Sequence, residues 1–118
     1  EKASIPVKLC IDVGHACSPN NANSRDNDPY EWLRILGKES PCVHLQQTDG
    51  KADRHWPFTG EHNAVGIIDG RKVISALDAS EAEDAQFYLE IFPAFEQKDD
   101  EVLSDLRDSV QYWKEFLN

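Results

Sequence analysis

Apolar and polar positions alternate along this chain in short blocks, strand-like runs separated by helical stretches. Residues 7–13, Val-Lys-Leu-Cys-Ile-Asp-Val, form the first apolar run and end at Gly14-His15; a short run with this punctuation predicts a strand. A loop rich in Asn and Ser fills residues 18–27. Asp28-Pro29-Tyr30-Glu31 then carries helix-start chemistry, with Asp28 as N-cap, Pro29 at the first helical position and Glu31 three residues after the cap. Trp32, Leu33 and Leu36 give that helix an apolar face, and Gly37 marks its stop.

The pattern then repeats. Residues 42–46 predict a second strand after Pro41, and the polar stretch 48–61, with its Gly and Pro, predicts a long loop. A second helix is expected over about 69–79, with Val73, Ile74 and Leu77 on one face. Residues 86–92 predict a third strand stopped by Pro93. The last helix shows the clearest spacing, with Val102, Leu103, Leu106, Val110, Trp113 and Leu117 three and four residues apart. Strands alternating with helices predict an α/β fold with a parallel sheet and right-handed crossovers. No repeat or linker divides residues 1–118, so one domain is expected. Three parallel strands with helices on one side can neither cover both sheet faces nor close a barrel. The expectation is therefore a partial domain, completed by a longer chain or by self-association.

Composition narrows the function classes. With 22 acidic and 12 basic residues the formal charge is −10, the opposite of what neutralising phosphates requires, so no nucleic-acid partner is expected. Much of the acidic excess lies between Asp78 and Asp108 and reads as solvated surface, which leaves room for a small anionic substrate. No run approaches the roughly 20 apolar residues of a membrane span, and Glu1-Lys2-Ala3-Ser4 has no apolar leader character; a cytoplasmic protein with no membrane partner is expected. Cys10, Cys17 and Cys42, with no C-x-x-C spacing, read as reduced thiols. Cys10 and Cys42, within strand-like runs, are expected to be buried packing groups.

Each predicted strand carries one ligand-type residue towards its C-terminal end: Asp12, His44 and Glu90. In parallel α/β folds functional groups gather at that edge. Taken singly, Asp12 reads equally well as a capping residue, His44 as a hydrogen-bonded core histidine and Glu90 as an outward edge-strand carboxylate. Jointly they point to one divalent-metal site, and a mixed carboxylate and imidazole set suits Mn2+, Mg2+, Co2+ or Zn2+. Asp53 and His55 lie in the loop after the second strand. They read either as ligands of a second ion, or as an ion-pairing Asp53 beside Arg54 with His55 facing the pocket. Trp56 and Phe58 either wall a pocket or pack the loop down.

Ile11-Asp12-Val13-Gly14-His15, Val43-His44-Leu45, Asp53-Arg54-His55 and Leu89-Glu90-Ile91, in that order, resemble the xylose isomerase-like barrel superfamily. That group holds sugar and sugar-phosphate epimerases and AP endonuclease-like enzymes. The run from Gln46 to Phe58 is similar to bacterial tetrulose-phosphate epimerases or racemases. The resemblance implies the C-terminal half of a (β/α)8 TIM barrel, about three β-α units of eight. It implies Asp12, His44 and Glu90 as metal ligands, with Glu90 also a catalytic acid–base residue in proton transfer through a metal-stabilised enediolate. It implies that His15, Asp53, Arg54, His55 and Trp56 contact a small sugar or sugar phosphate, Arg54 at an anionic or hydroxyl group. The family's further Glu ligand comes from an earlier strand that this sequence does not contain, so the 118-residue chain alone is expected to be inactive. Two rivals stand beside this reading: a zinc-dependent AP endonuclease-like phosphodiesterase, and a non-catalytic half-barrel that self-associates.

Overall fold

The computed structural model describes residues 5–17 and 24–117, so the Asn-rich loop expected over 18–27 lies mostly outside the described residues. Three strands, β1 (Cys10–Asp12), β2 (Cys42–Leu45) and β3 (Gln86–Leu89), form one parallel sheet in the order β1-β2-β3. Between them run α1 (Pro29–Leu36), α2 (Gly60–Val65) and α3 (Gly70–Ala79), and α4 (Asp99–Lys114) follows β3. The α/β order and the parallel pairing are those expected from the pattern.

Helix starts form where side chains satisfy the first backbone amides. The Asp28 carboxylate accepts from the amides of Tyr30 and Glu31, and Asp69 does the same for Arg71 and Lys72. Glu31 does not complete a capping box; its carboxylate pairs with Arg34 and Arg25. Gly37 keeps right-handed helical geometry (φ −55°) and leads into a short 3-10 turn, Gly37–Glu39. A third side-chain cap, Thr59 accepting from the His62 amide, starts α2 inside the stretch expected to be loop. All three strands are shorter than the apolar runs that carry them. At the first, Leu9 donates its amide to the Glu39 carbonyl and Ile11 to the buried Ser40 hydroxyl, so the ladder with β2 begins only at Cys10.

Ile11, Val13, Val43 and Leu45 are buried, with Phe87 and Leu89 packed against them, beneath Leu33 of α1 and Val73, Ala76 and Leu77 of α3. The long helix α4 turns inward only part of the face its spacing suggests, with Val102 and Leu106 half-buried. Trp113 and Ser109 are buried, and Tyr112 and Phe116 pack beside them, whereas Leu103, Val110 and Leu117 are exposed. Phe58 packs against the buried part. Its ring stacks on Tyr112 at 5.3 Å and meets Trp113 edge-on at 5.1 Å, while its amide donates to Ser109 Oγ. Phe58 thus packs the loop down rather than walling a pocket. No helix is long and apolar enough to cross a membrane among the described residues.

Candidate metal centre

Register places the chemistry. Cys42 pairs with Cys10 on one side and Gln86 on the other, and His44 with Asp12 and Tyr88. Side chains alternate between sheet faces with period two, so Cys10, Asp12, Cys42, His44, Tyr88 and Glu90 share the face opposite the helix-covered core. The ladder runs one step past the strands: Val13 donates to the His44 carbonyl and Glu90 to the Leu45 carbonyl. Glu90 therefore reaches the same C-terminal rim as Asp12 and His44.

At that rim three side chains, Asp12, His15 and Glu90, bring one ligand-type atom each within 4.8 Å of one another. His44 joins them, its Nδ1 lying 3.4 Å from Glu90 Oε2 and 4.0 Å from Asp12 Oδ2. His15 Nδ1 lies 3.5 Å from Asp12 Oδ2. The three residues expected to converge do so, and His15 sits closer to Asp12 than His44 does. Asp12 is the most enclosed of the four, its side chain 10% exposed against 31% for Glu90 and 34% for His44.

The electrostatics are those of two carboxyls facing each other. Burial pushes the Asp12 carboxyl up, but the Glu90 carboxyl, the His15 amide and ring and the Gln46 amide together hold it below the ordinary Asp value. Glu90 moves the other way: the facing Asp12 carboxyl first, then burial and like-charge repulsion, raise it, against the opposing pull of His44 and His55. Such a pair shares one proton when no cation lies between the oxygens. Glu90 Oε2 is shielded from solvent and has no hydrogen-bond partner, a costly state for a carboxylate oxygen. A cation facing that atom would relieve it. The residues present therefore fit a divalent ion, with Asp12, His15, His44 and Glu90 as the groups to hold it.

The loop after β2 supplies further contacts around this rim. Asp53 Oδ1 lies 3.1 Å from His15 Nε2 and 3.0 Å from His55 Nε2, so Asp53 bridges two imidazoles rather than pairing with Arg54. His55 is buried, carries a left-handed backbone (φ 50°), stacks on Phe92 at 4.0 Å, and places Nδ1 3.0 Å from the Glu90 carbonyl oxygen. Arg54 directs Nε and one terminal nitrogen to Asp49, each at 3.0 Å, and lies 5.1 Å over the Trp56 ring. Its fork is thus turned to a carboxylate of the same loop. Arg54, Trp56 and His62 border a cleft of about 570 Å3 that Phe92 and Asp105 also line. That cleft does not include Asp12, His15, His44 or Glu90, which stand on the open sheet face beside it.

Two residues at the site carried no assigned role from sequence. Gln46, fully buried, donates through Nε2 to Asp12 Oδ1 at 3.2 Å and accepts the His55 amide at Oε1 at 2.8 Å. It ties the β2 end, the Asp12 carboxylate and the strained His55 turn together. Gly14 makes room for it: a Cβ there would come within 2.3 Å of Gln46 Cγ and Cδ. Gln47, also buried, donates to Asn63 Oδ1 and the Ile68 carbonyl and accepts from Thr48 and Ile68 amides, which pins the long loop. The available signal was a pair of glutamines closing an apolar strand, where a polar amide must find partners. Cys10 departs from expectation too. It is exposed and Cys42 half-buried, their Sγ atoms 3.5 Å apart, because both point to the uncovered face; Cys17 is the buried thiol, donating to the Val13 carbonyl.

Parallel strands backed by helices, with carboxylates and imidazoles gathered at the C-terminal rim, define part of a (β/α)8 barrel. Sequence and fold together place the chain with the xylose isomerase-like superfamily, matching the C-terminal part of its relatives. It is 34% identical over 111 residues to D-erythrulose 1-phosphate 3-epimerase of Brucella abortus (strain 2308), covering 93% of this chain and 36% of that protein. A crystal structure of a candidate xylose isomerase from Rhodospirillum rubrum superposes with a TM-score of 0.78 at 32% identity, over 95% of this chain and 36% of that one. The chain thus spans little more than a third of the length of these relatives. No family model matches it.

Proposed function

We propose that this chain supplies part of the centre of a divalent-metal-dependent sugar or sugar-phosphate epimerase or isomerase. The observation that carries the reading is the convergence of Asp12, His15, His44 and Glu90 at one rim, where the shielded Glu90 Oε2 makes no hydrogen bond and faces the His44 ring at 3.4 Å. The likeness to D-erythrulose 1-phosphate 3-epimerase supports a small sugar or sugar phosphate as the substrate class. When bound, a divalent ion would supply the positive charge that acidifies a carbon-bound hydrogen beside a ketose carbonyl. Asp12, held by Gln46 and the His15 amide, is fixed as a ligand. Glu90, with the raised proton affinity of a crowded carboxyl, holds or releases a proton at Oε2. Asp53 steadies the His15 ring beside the ion and also holds the buried His55 ring behind it. Arg54, paired with Asp49 and lying over Trp56, stands in the cleft beside the rim, where an anionic group would compete with Asp49 for it.

The test is solvent-deuterium incorporation into a ketose phosphate, assayed on the protein as the cell makes it. Exchange at the carbon beside the carbonyl should require a divalent ion and fall about a thousandfold in Glu90→Gln; unchanged exchange in that variant removes Glu90 from the chemistry.

A second reading rests on His15, Asp53 and His55, another trio with ligand atoms within 4.8 Å. It fits a two-ion phosphodiesterase. Asp53 already contacts both imidazoles, and the charge of −10 opposes a DNA substrate, so the single-ion reading is preferred. Metal stoichiometry separates the two.

A further inference from the structure

The open sheet face carries a second row of ligand-type side chains. Two residue pairs before Asp12 and His44, the register partners Cys10 and Cys42 bring Sγ to Sγ at 3.5 Å. Cys10, Cys42 and His44 place one ligand atom each within 4.8 Å of one another. We propose that these three side chains form a Zn2+ site of two thiolates and one imidazole, adjoining the oxygen-rich centre and sharing His44 with it.

Donor chemistry separates the two sites. Asp12 and Glu90 offer hard oxygens, whereas two sulfurs and an imidazole favour soft or borderline ions and form the usual ligand set of tetrahedral zinc. The spacing agrees. With Zn–S bonds of about 2.3 Å, two thiolates at tetrahedral angles stand about 3.8 Å apart, close to the 3.5 Å present between the thiols. Strand pairing holds the two Cβ atoms side by side, and the thiols already face each other, so binding needs little backbone reorganisation. The ion would displace the two thiol protons to solvent, and two thiolates would then balance its double charge. Three protein donors leave one tetrahedral position for a further ligand. His44 is the shared element: its Nδ1 lies 3.4 Å from Glu90 Oε2, so thiolate-bound Zn2+ competes for a residue of the oxygen-rich centre.

Co2+, a spectroscopic stand-in for Zn2+, tests the site. Titrated into the reduced protein, it should produce the sulfur-to-cobalt charge-transfer absorption of thiolate ligation. The band should disappear in Cys10→Ser and Cys42→Ser and persist in Cys17→Ser and in Glu90→Gln. No band, or one that survives Cys10→Ser, overturns the proposal. A measurement on the unmutated protein guards against variants that fail to fold: peptide-resolved alkylation with and without Zn2+. Zn2+ should slow alkylation of Cys10 and Cys42 at least about tenfold and leave Cys17 unchanged; equal rates at Cys10 overturn the proposal as well.

Discussion

The two faces of the three-stranded sheet are built from the same short strands one residue out of step, yet they behave as different materials. On one face Ile11, Val13, Val43 and Leu45 are closed under α1 and α3. On the other, Cys10, Asp12, His44, Tyr88 and Glu90 remain accessible, and their neighbours are thiols, carboxylates and imidazoles. A strand with period two can hold a fold with its odd positions and a reactive surface with its even ones. The difference teaches where substitutions should register: as stability on the covered face, as ligand binding on the open one.

Four changes would break or sharpen that contrast. Trp113, buried between Phe58, Phe87 and Phe116, anchors the covered side; Trp113→Ala should cost about 4 kcal/mol in urea unfolding, and a loss near zero would mean that α4 is not part of the core. Glu90→Gln should lose activity by the large factor given above without comparable destabilisation. Gln46 joins the two sides, so Gln46→Ala should weaken divalent-ion affinity roughly 10- to 100-fold, measured by calorimetry; unchanged affinity would show that the Asp12 carboxylate needs no such anchor. Tyr88, half exposed and bonded to Gln86 across its own strand, should tolerate Ala within about 0.5 kcal/mol. A larger loss would mean that the open face also holds the fold together.

Much of this contrast was legible in the residues. Asp28 and Asp69 announced their helices because an N-cap is a local chemical event, and Asp12, His44 and Glu90 announced the rim because strand ends follow from apolar runs. What escaped notice depended on partners distant in sequence. The first strand is cut short by Ser40 and Glu39, which no inspection of residues 7–13 contains. Helix α2 buries none of its six residues, so it has no apolar period to read. On α4 the burial of Trp113 was legible, whereas that of Ser109 was not, because its partner Phe58 lies some 50 positions earlier. Gln46 and Gln47 looked like ordinary polar residues; their importance lies in bonds to Asp12, His55 and Ile68. Cys10 was expected inside because its neighbours are apolar, but its parity along β1 puts it on the uncovered face.

The central claim is that Asp12 and Glu90, with His15 and His44, hold one divalent cation. Titration of the protein with Mn2+, followed by loss of the free-ion electron paramagnetic resonance signal, tests it directly. The account predicts one ion per chain, with binding lost in Asp12→Asn and in Glu90→Gln and kept in Cys10→Ser. Binding that survives both carboxylate substitutions at full stoichiometry would contradict it.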